Sequence, residues 1–243
     1  MSDTLRLRTA IIGLIGFAAV EEEMLLTVAT ASGPEEGSAH HWAAVPLIAH
    51  NAELKGQQVQ RLEAIAQGET PPVFAEIDHS GNEVYRRYAV QSAIEVAAAS
   101  RRSAQALVDE LSTTSDEDLL DPSRHPWLGG RKLFLQIIVR GFWHPTGHLG
   151  EYYLAHGQAD RAVALQEQAV AVTAYLSAPD AAQGMACYNL ACAQARADRP
   201  DEAFEALNKA VELNGDLLAN ASRDTDLDRL REDGRLDARL GSQ

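Results

Sequence analysis

Cysteine is nearly absent from the sequence: Cys187 and Cys192 are the only two in 243 residues. They fall in one expected helix at a spacing that sends their side chains to different faces, so no intrachain disulfide is expected. Both read as small apolar packing residues of a reduced, cytoplasmic protein. Proline is also scarce (9 residues), while Ala, Leu, Glu and Gln are abundant, a balance that favours helix. No alternating β-branched runs lie between turn signals, so no strands are expected. Basic residues are outnumbered 21 to 35 by acidic ones, for a formal charge of −14. That surplus argues against a nucleic-acid backbone or an anionic membrane surface as partner. Long hydrophobic runs are lacking too. The apolar run Ala10 to Val20, preceded by Arg6 and Arg8, superficially resembles a signal peptide, but it is too short to span a bilayer. It also passes straight into Glu21-Glu22-Glu23 with no small-residue cleavage site, and so reads as a first core helix. Ser-His-Asp patterns, phosphate-binding glycine loops and cysteine clusters are missing as well.

What is present is an ordinary globular composition, 46% apolar and 23% charged, in a chain long enough to bury a core without disulfides. Periodicity and punctuation predict an all-α fold. A first helix runs from Leu5 to Thr30 and stops at Ser32-Gly33-Pro34. A second, from His41 to Ala66, ends at Gly68 before Pro71-Pro72, and an irregular stretch from Phe74 to Gly81 follows. A third is expected from Asn82 to Leu111, with Tyr85, Tyr88, Ala89, Ser92, Val96, Ala99, Leu107 and Leu111 as its inward stripe. After a polar connection, Ser112 to Gly130, a fourth runs from Arg131 to His156. Four long helices with buried stripes point to a four-helix bundle, whose long second-to-third and third-to-fourth connections permit crossovers.

The last third has a different texture. Tyr188 to Ala193 and then Asp198-Arg199-Pro200-Asp201-Glu202-Ala203 mark one helix ending and another beginning. Pro200 suits a first helical turn and Asp198 a cap. This resembles a tetratricopeptide helix pair, in which small residues allow close approach. A second copy is visible in Leu149-Gly150, Tyr153, Gly157 to Ala162 and Ala169. The offset from Ala162 to Ala203, 41 residues, exceeds the usual period of about 34. The domains expected are therefore a bundle over 1–156 and a tetratricopeptide-like extension over 157–243 that shares the fourth bundle helix. The tail Asp224 to Arg231 reads as a solvated capping face.

Of eight histidines, three stand out by position. His144 and His148 are one helical turn apart, about 5–6 Å at Cβ, a spacing that lets two imidazoles grip one metal ion. His50 lies on the apolar face of the second helix, and facing helices of a bundle can bring it against that pair. The others, His40, His41, His79, His125 and His156, read as surface or loop residues. Pro145 disfavours α geometry at His144 and its ring crowds the carbonyl of Gly141, a residue permissive enough to absorb a kink.

The segment Trp42 to His50, the run Trp127-Leu128-Gly129-Gly130, and Trp143-His144-Pro145-Thr146-Gly147-His148-Leu149 resemble the DinB-like four-helix-bundle superfamily, most closely its DfsB and ClbS branch. The resemblance covers roughly Leu5 to His156. It implies that His50, His144 and His148 bind a divalent metal ion. It further implies a thiol S-transferase or hydrolase acting on a reactive small-molecule electrophile, in detoxification or self-resistance, with a low-molecular-weight thiol as cosubstrate for the transferase. That branch does not always keep the histidine triad.

Three imidazoles leave at least one coordination position open, as catalytic sites do. Neutral imidazole suits zinc, nickel, iron or copper. The catalytic acid and base are not identifiable from the sequence. Glu53, one turn from His50, and Tyr152, one turn beyond His148, are the candidates within reach, each also readable as a solvated or packing residue. Two rival functions stand beside the metal enzyme. One is a non-catalytic protein whose helical repeat binds a peptide or protein partner or a second copy of the chain, and the other is a metal-free ClbS-like hydrolase.

Overall fold

A computed structural model describes residues 3–31, 42–74 and 82–240 of the chain. The described residues are all-α, with no strand among them, and none of their helices is long and apolar enough to cross a membrane. Helix α1 spans Asp3–Ala31 and α2 spans Ala44–Ala66. Arg8, at first sight part of a leader, ties α1 to the chain beyond residue 110. Its guanidinium donates to the carbonyls of Leu111 and Thr114 and to the Asp116 carboxylate.

The expected third helix is two, α3 at Asn82–Ala89 and α4 at Ala93–Thr113. Ser92, expected on an inward stripe, is the cap between them. Its hydroxyl accepts from the Glu95 backbone N–H at 3.3 Å, and the Glu95 carboxylate accepts from the Ser92 backbone N–H at 3.1 Å. This reciprocal capping box satisfies two donors that the first turn leaves unpaired. Replacing Ser92 with Ala is expected to cost about 1 kcal/mol, read as a lower urea midpoint at unchanged slope. An unchanged midpoint would show that the break is not held by the cap.

The connection 112–130 contains a short helix, α5 at Asp116–Leu120, and a 3-10 turn at Pro126–Leu128. The expected fourth helix is continuous but not uniform: α6 at Leu133–Ile138, a π-turn at Val139–Trp143, and α7 at His144–Ala155. Contrary to the expectation from Pro145, His144 is helical, with φ −64° and ψ −49°. The π-turn explains this. The His144 N–H bonds the Val139 carbonyl five residues back, so the ladder is already opened where proline lacks a donor. Gly141 sits in that turn because nothing larger fits. A Cβ there would lie 2.6 Å from Ile15 Cγ1 and 3.1 Å from Leu107 Cδ2.

The chain divides into two units, 1–145 and 146–243, and the dividing line falls inside α7. In the first unit α1, α2, α4 and the α6–π-turn segment pack on one another. Ile11, Leu14 and Ile15 of α1, Ile48 and Leu62 of α2, Leu107 and Leu111 of α4, and Ile137, Ile138 and Phe142 are all closed to solvent. This core is not purely apolar. Lys55 and Glu22, 1% and 0% exposed, form an ion pair at 2.5 Å, and the Ser100 hydroxyl donates to the same carboxylate oxygen at 2.6 Å.

In the second unit α8 (Ala159–Tyr175) packs on α9 (Asp180–Arg196), and α9 on α10 (Pro200–Leu213). Small residues set the separation: a Cβ on Gly184 would come within 3.2 Å of the Ala210 carbonyl. The end of the unit, α11 (Leu217–Ala221), α12 (Asp228–Glu232) and α13 (Arg235–Leu240), buries Leu217, Leu230 and Leu236 against the α9–α10 pair. The tail is thus more than a solvated face, since Leu227 is buried and Asp224 accepts from the Tyr188 hydroxyl at 2.7 Å. Asp198 does not cap α10. It adopts a left-handed φ of 58° in the turn, Arg199 holds the cap position without a side-chain bond, and the Asp198 carboxylate accepts from Arg229 Nε at 2.8 Å.

Candidate metal centre

Helix α2 delivers His50, and α7 delivers His144 as its first residue after the π-turn. The imidazole of His50 is wholly buried, while His144 and His148 are half-buried. The Nε2 atoms of His50 and His144 stand 3.1 Å apart, although the residues are far apart in sequence. His148 follows one turn further along the same helix as His144, and the ligand nitrogens of all three lie within 4.8 Å of one another. This group could hold a metal ion. Two imidazole nitrogens bound to one zinc at about 2.0–2.1 Å are separated by about 3–3.5 Å, which the His50–His144 spacing matches.

The orientation of the third ring fits the same purpose. His148 Nδ1 lies 2.9 Å from a Glu151 carboxylate oxygen. A carboxylate at that distance keeps the proton on Nδ1 and leaves Nε2 as the nitrogen able to ligate. Glu151 is itself one turn beyond His148 on α7, so a single helix carries two of the three rings and the group that sets one of them.

Aromatic side chains wall His50. The Trp42 and Tyr88 rings meet it edge-on, with centroids at 5.6 and 5.7 Å, and touch each other at 5.9 Å. Tyr88 is closed to solvent. Its hydroxyl donates to Glu53 at 2.8 Å and accepts from Arg87 at 2.6 Å. Burial, reinforced by the Glu53 carboxylate, pushes the Tyr88 phenol up to about 12, so it stays protonated across the neutral and mildly alkaline range.

Glu53, expected either to reach the site or to orient a ligand from behind it, is held by Arg87 and Tyr88. Rather than turning to the histidines, its carboxylate accepts from Arg87 at 3.0 and 3.1 Å, from Gln57 at 3.2 Å and from the Tyr88 hydroxyl. It acts on His50 through Tyr88, by fixing the ring that packs against the imidazole. The other candidate, Tyr152, is buried with its ring stacked on His156 at 4.0 Å. Tyr88 as a wall of the site was beyond sequence reasoning, because helical periodicity says only that it points inward.

Among the remaining histidines, His40, His41 and His79 lie outside the described residues. His125, expected as a surface or loop residue, lies in a loop but is buried, with Nε2 3.1 Å from the Asp118 carbonyl. His156 is half-buried, with Nδ1 2.8 Å from the Tyr152 carbonyl. Cys192, expected to be an apolar packing residue, belongs to a polar cluster of the second unit with Asp224 and Asp226. Burial and then those two carboxylates push its thiol up, which keeps it protonated and unreactive.

No protein-family model, curated protein or solved structure matches the chain.

Proposed function

We propose that this chain is a metal-dependent enzyme of the DinB-like type, in which His50, His144 and His148 hold a divalent ion. In this reading it disarms a reactive electrophile, by joining it to a low-molecular-weight thiol or by hydrolysis. The observation that carries the proposal is the 3.1 Å approach of the His50 and His144 Nε2 atoms. A zinc, nickel or iron ion on three neutral imidazoles would supply Lewis acidity and leave positions open for a thiol or water. The protein's own groups do the rest. Trp42 and Tyr88 exclude water from one side of His50, Glu151 sets the His148 ring, and Arg87 with Glu53 holds the Tyr88 hydroxyl. The resemblance of Trp42 to His50, Trp127 to Gly130 and Trp143 to Leu149 to that superfamily supports the reading. The finer architecture belongs to it as well: α1, α2, α4 and the α6–α7 segment as a DinB-like bundle, and α8 to α10 as tetratricopeptide-like hairpins.

Turnover tests the proposal. The metal-loaded protein is incubated with strained or activated electrophiles, such as epoxides, with and without cysteine as a simple thiol. Consumption of the electrophile is expected, lost on chelation and regained when the ion is returned. Consumption that survives both chelation and His144→Ala would replace the proposal with a metal-free hydrolase. Binding of a protein partner with no consumption of any electrophile would favour the non-catalytic repeat protein.

A further inference from the structure

The interior of the first unit holds more hydrogen-bonding capacity than its described residues satisfy. On α2, Asn51 and Gln58 are wholly buried, and neither side-chain amide has a partner among the described residues. Arg61, further along α2 and only 9% exposed, has its Nη1 buried and unpartnered among them. Arg140, on the π-turn that packs against α2, has Nε in the same condition. Native interiors rarely leave such atoms unpaired, and ordered water or a bound ion is the usual resolution.

The two arginines carry the sharper argument. The Arg61 guanidinium lies over the Phe74 ring at 4.9 Å and the Trp127 ring at 5.4 Å, and its Nε reaches the Pro72 carbonyl at 3.4 Å. These contacts fix the fork without neutralising it. Among the described residues no carboxylate bears on either cation, and each is held below the ordinary arginine value by burial, with Arg140 adding to the effect on Arg61. Two partly buried guanidinium groups that repel each other are unfavourable unless something negative lies between them. Their place in the fold is informative too. Arg61 comes about three turns after His50 on the same face of α2, and Arg140 one turn before His144. The two arginines thus stand on the two packed elements, α2 and the π-turn, that lead to His50 and His144.

We propose that Arg61 and Arg140, with the Gln58 amide one turn before Arg61, form an oxyanion-binding subsite further along α2 from the histidine group. The molecule handled there carries a carboxylate or a phosphate ester. Assigning that molecule as substrate rests on the metal-enzyme reading, whereas the anion binding does not. Planar guanidinium forks hold either group with paired hydrogen bonds, and Gln58 adds a neutral donor.

Thermal melting of the full chain tests this, with inorganic phosphate, succinate or chloride added at equal ionic strength. A saturable rise of several degrees is expected with phosphate, succinate or both, over chloride. Phosphate alone would assign a phosphate ester, and succinate alone a carboxylate. The rise should vanish in Arg61→Met and Arg140→Met, which should melt no lower than the parent in chloride because each removes an unneutralised cation. Arg61→Lys keeps the charge and serves as a second variant if methionine disturbs the fold. It should weaken binding at least about tenfold, since ammonium cannot present two coplanar donors. In His50→Ala the anion response should persist while metal is lost, so the subsite and the metal centre can fail separately. No rise over chloride, an undiminished rise in the arginine variants, or a rise that disappears with His50 would overturn the subsite.

Discussion

Lys55→Met is expected to destabilise the protein by about 3–5 kcal/mol, a substantial fraction of the stability of an ordinary domain. The pair it breaks is closed to solvent on both sides, with Lys55 Nζ 2.5 Å from the Glu22 carboxylate. The gross attraction between the charges is not what the variant loses. What it loses is compensation: Glu22 is left as a buried carboxylate with Ser100 as its remaining donor among the described residues, and the low-dielectric interior penalises that charge heavily. The double variant Glu22→Leu, Lys55→Met should therefore recover most of the loss, because two apolar side chains of similar volume carry no desolvation cost. Urea denaturation followed by circular dichroism gives all three midpoints. A single variant as stable as the parent, or a double variant no better than the single, would show that the pair is hydrated.

His50→Ala is expected to weaken metal binding by more than about 100-fold, since loss of a mere outer-shell partner already reaches 10–100-fold. His50 would supply the ligand furthest from solvent, and its ring is fixed by Trp42 and Tyr88 as well as by its approach to His144. Removing it leaves His144 and His148 as a two-nitrogen site on one helix, and such a site competes poorly with water. The variant also loses packing against both aromatic rings, so some fall in melting temperature accompanies the loss of metal. Its melting temperature should be the same with and without added zinc. The parent should gain stability from zinc, because an ion that binds only the folded chain stabilises it by mass action. Equal zinc stabilisation of parent and variant would remove His50 from the site.

The features legible in the sequence are those with a local signature. The spacing of His144 and His148 fixes their shared face whatever the rest of the chain does, and the apolar setting of His50 marks it as an inward histidine. The break between α3 and α4 was also legible, since Ser92 and Glu95 stand at capping-box spacing, but the inward periodicity around Tyr88 and Val96 masks it. Other features depend on partners distant in sequence. The π-turn exists where Gly141 meets Ile15 and Leu107, and no local rule specifies a wide turn there. On α2, residues 51, 55 and 58 would ordinarily be placed on a solvated face. They are buried because α1 and α4 bring Glu22 and Ser100 to Lys55 and because the π-turn lies against α2. Asp198 shows the opposite error: a good cap by residue type, it sits in a turn whose left-handed geometry turns its carboxylate to Arg229.

Whether the three histidines act together on one ion is decided by metal content, measured by mass spectrometry on untagged protein beside His144→Ala and His148→Ala. About one equivalent of a divalent ion is expected in the parent, as a single three-nitrogen site would hold, and its loss is expected in both variants. A parent that binds none, even after exposure to zinc, nickel or iron, would contradict the three-histidine centre.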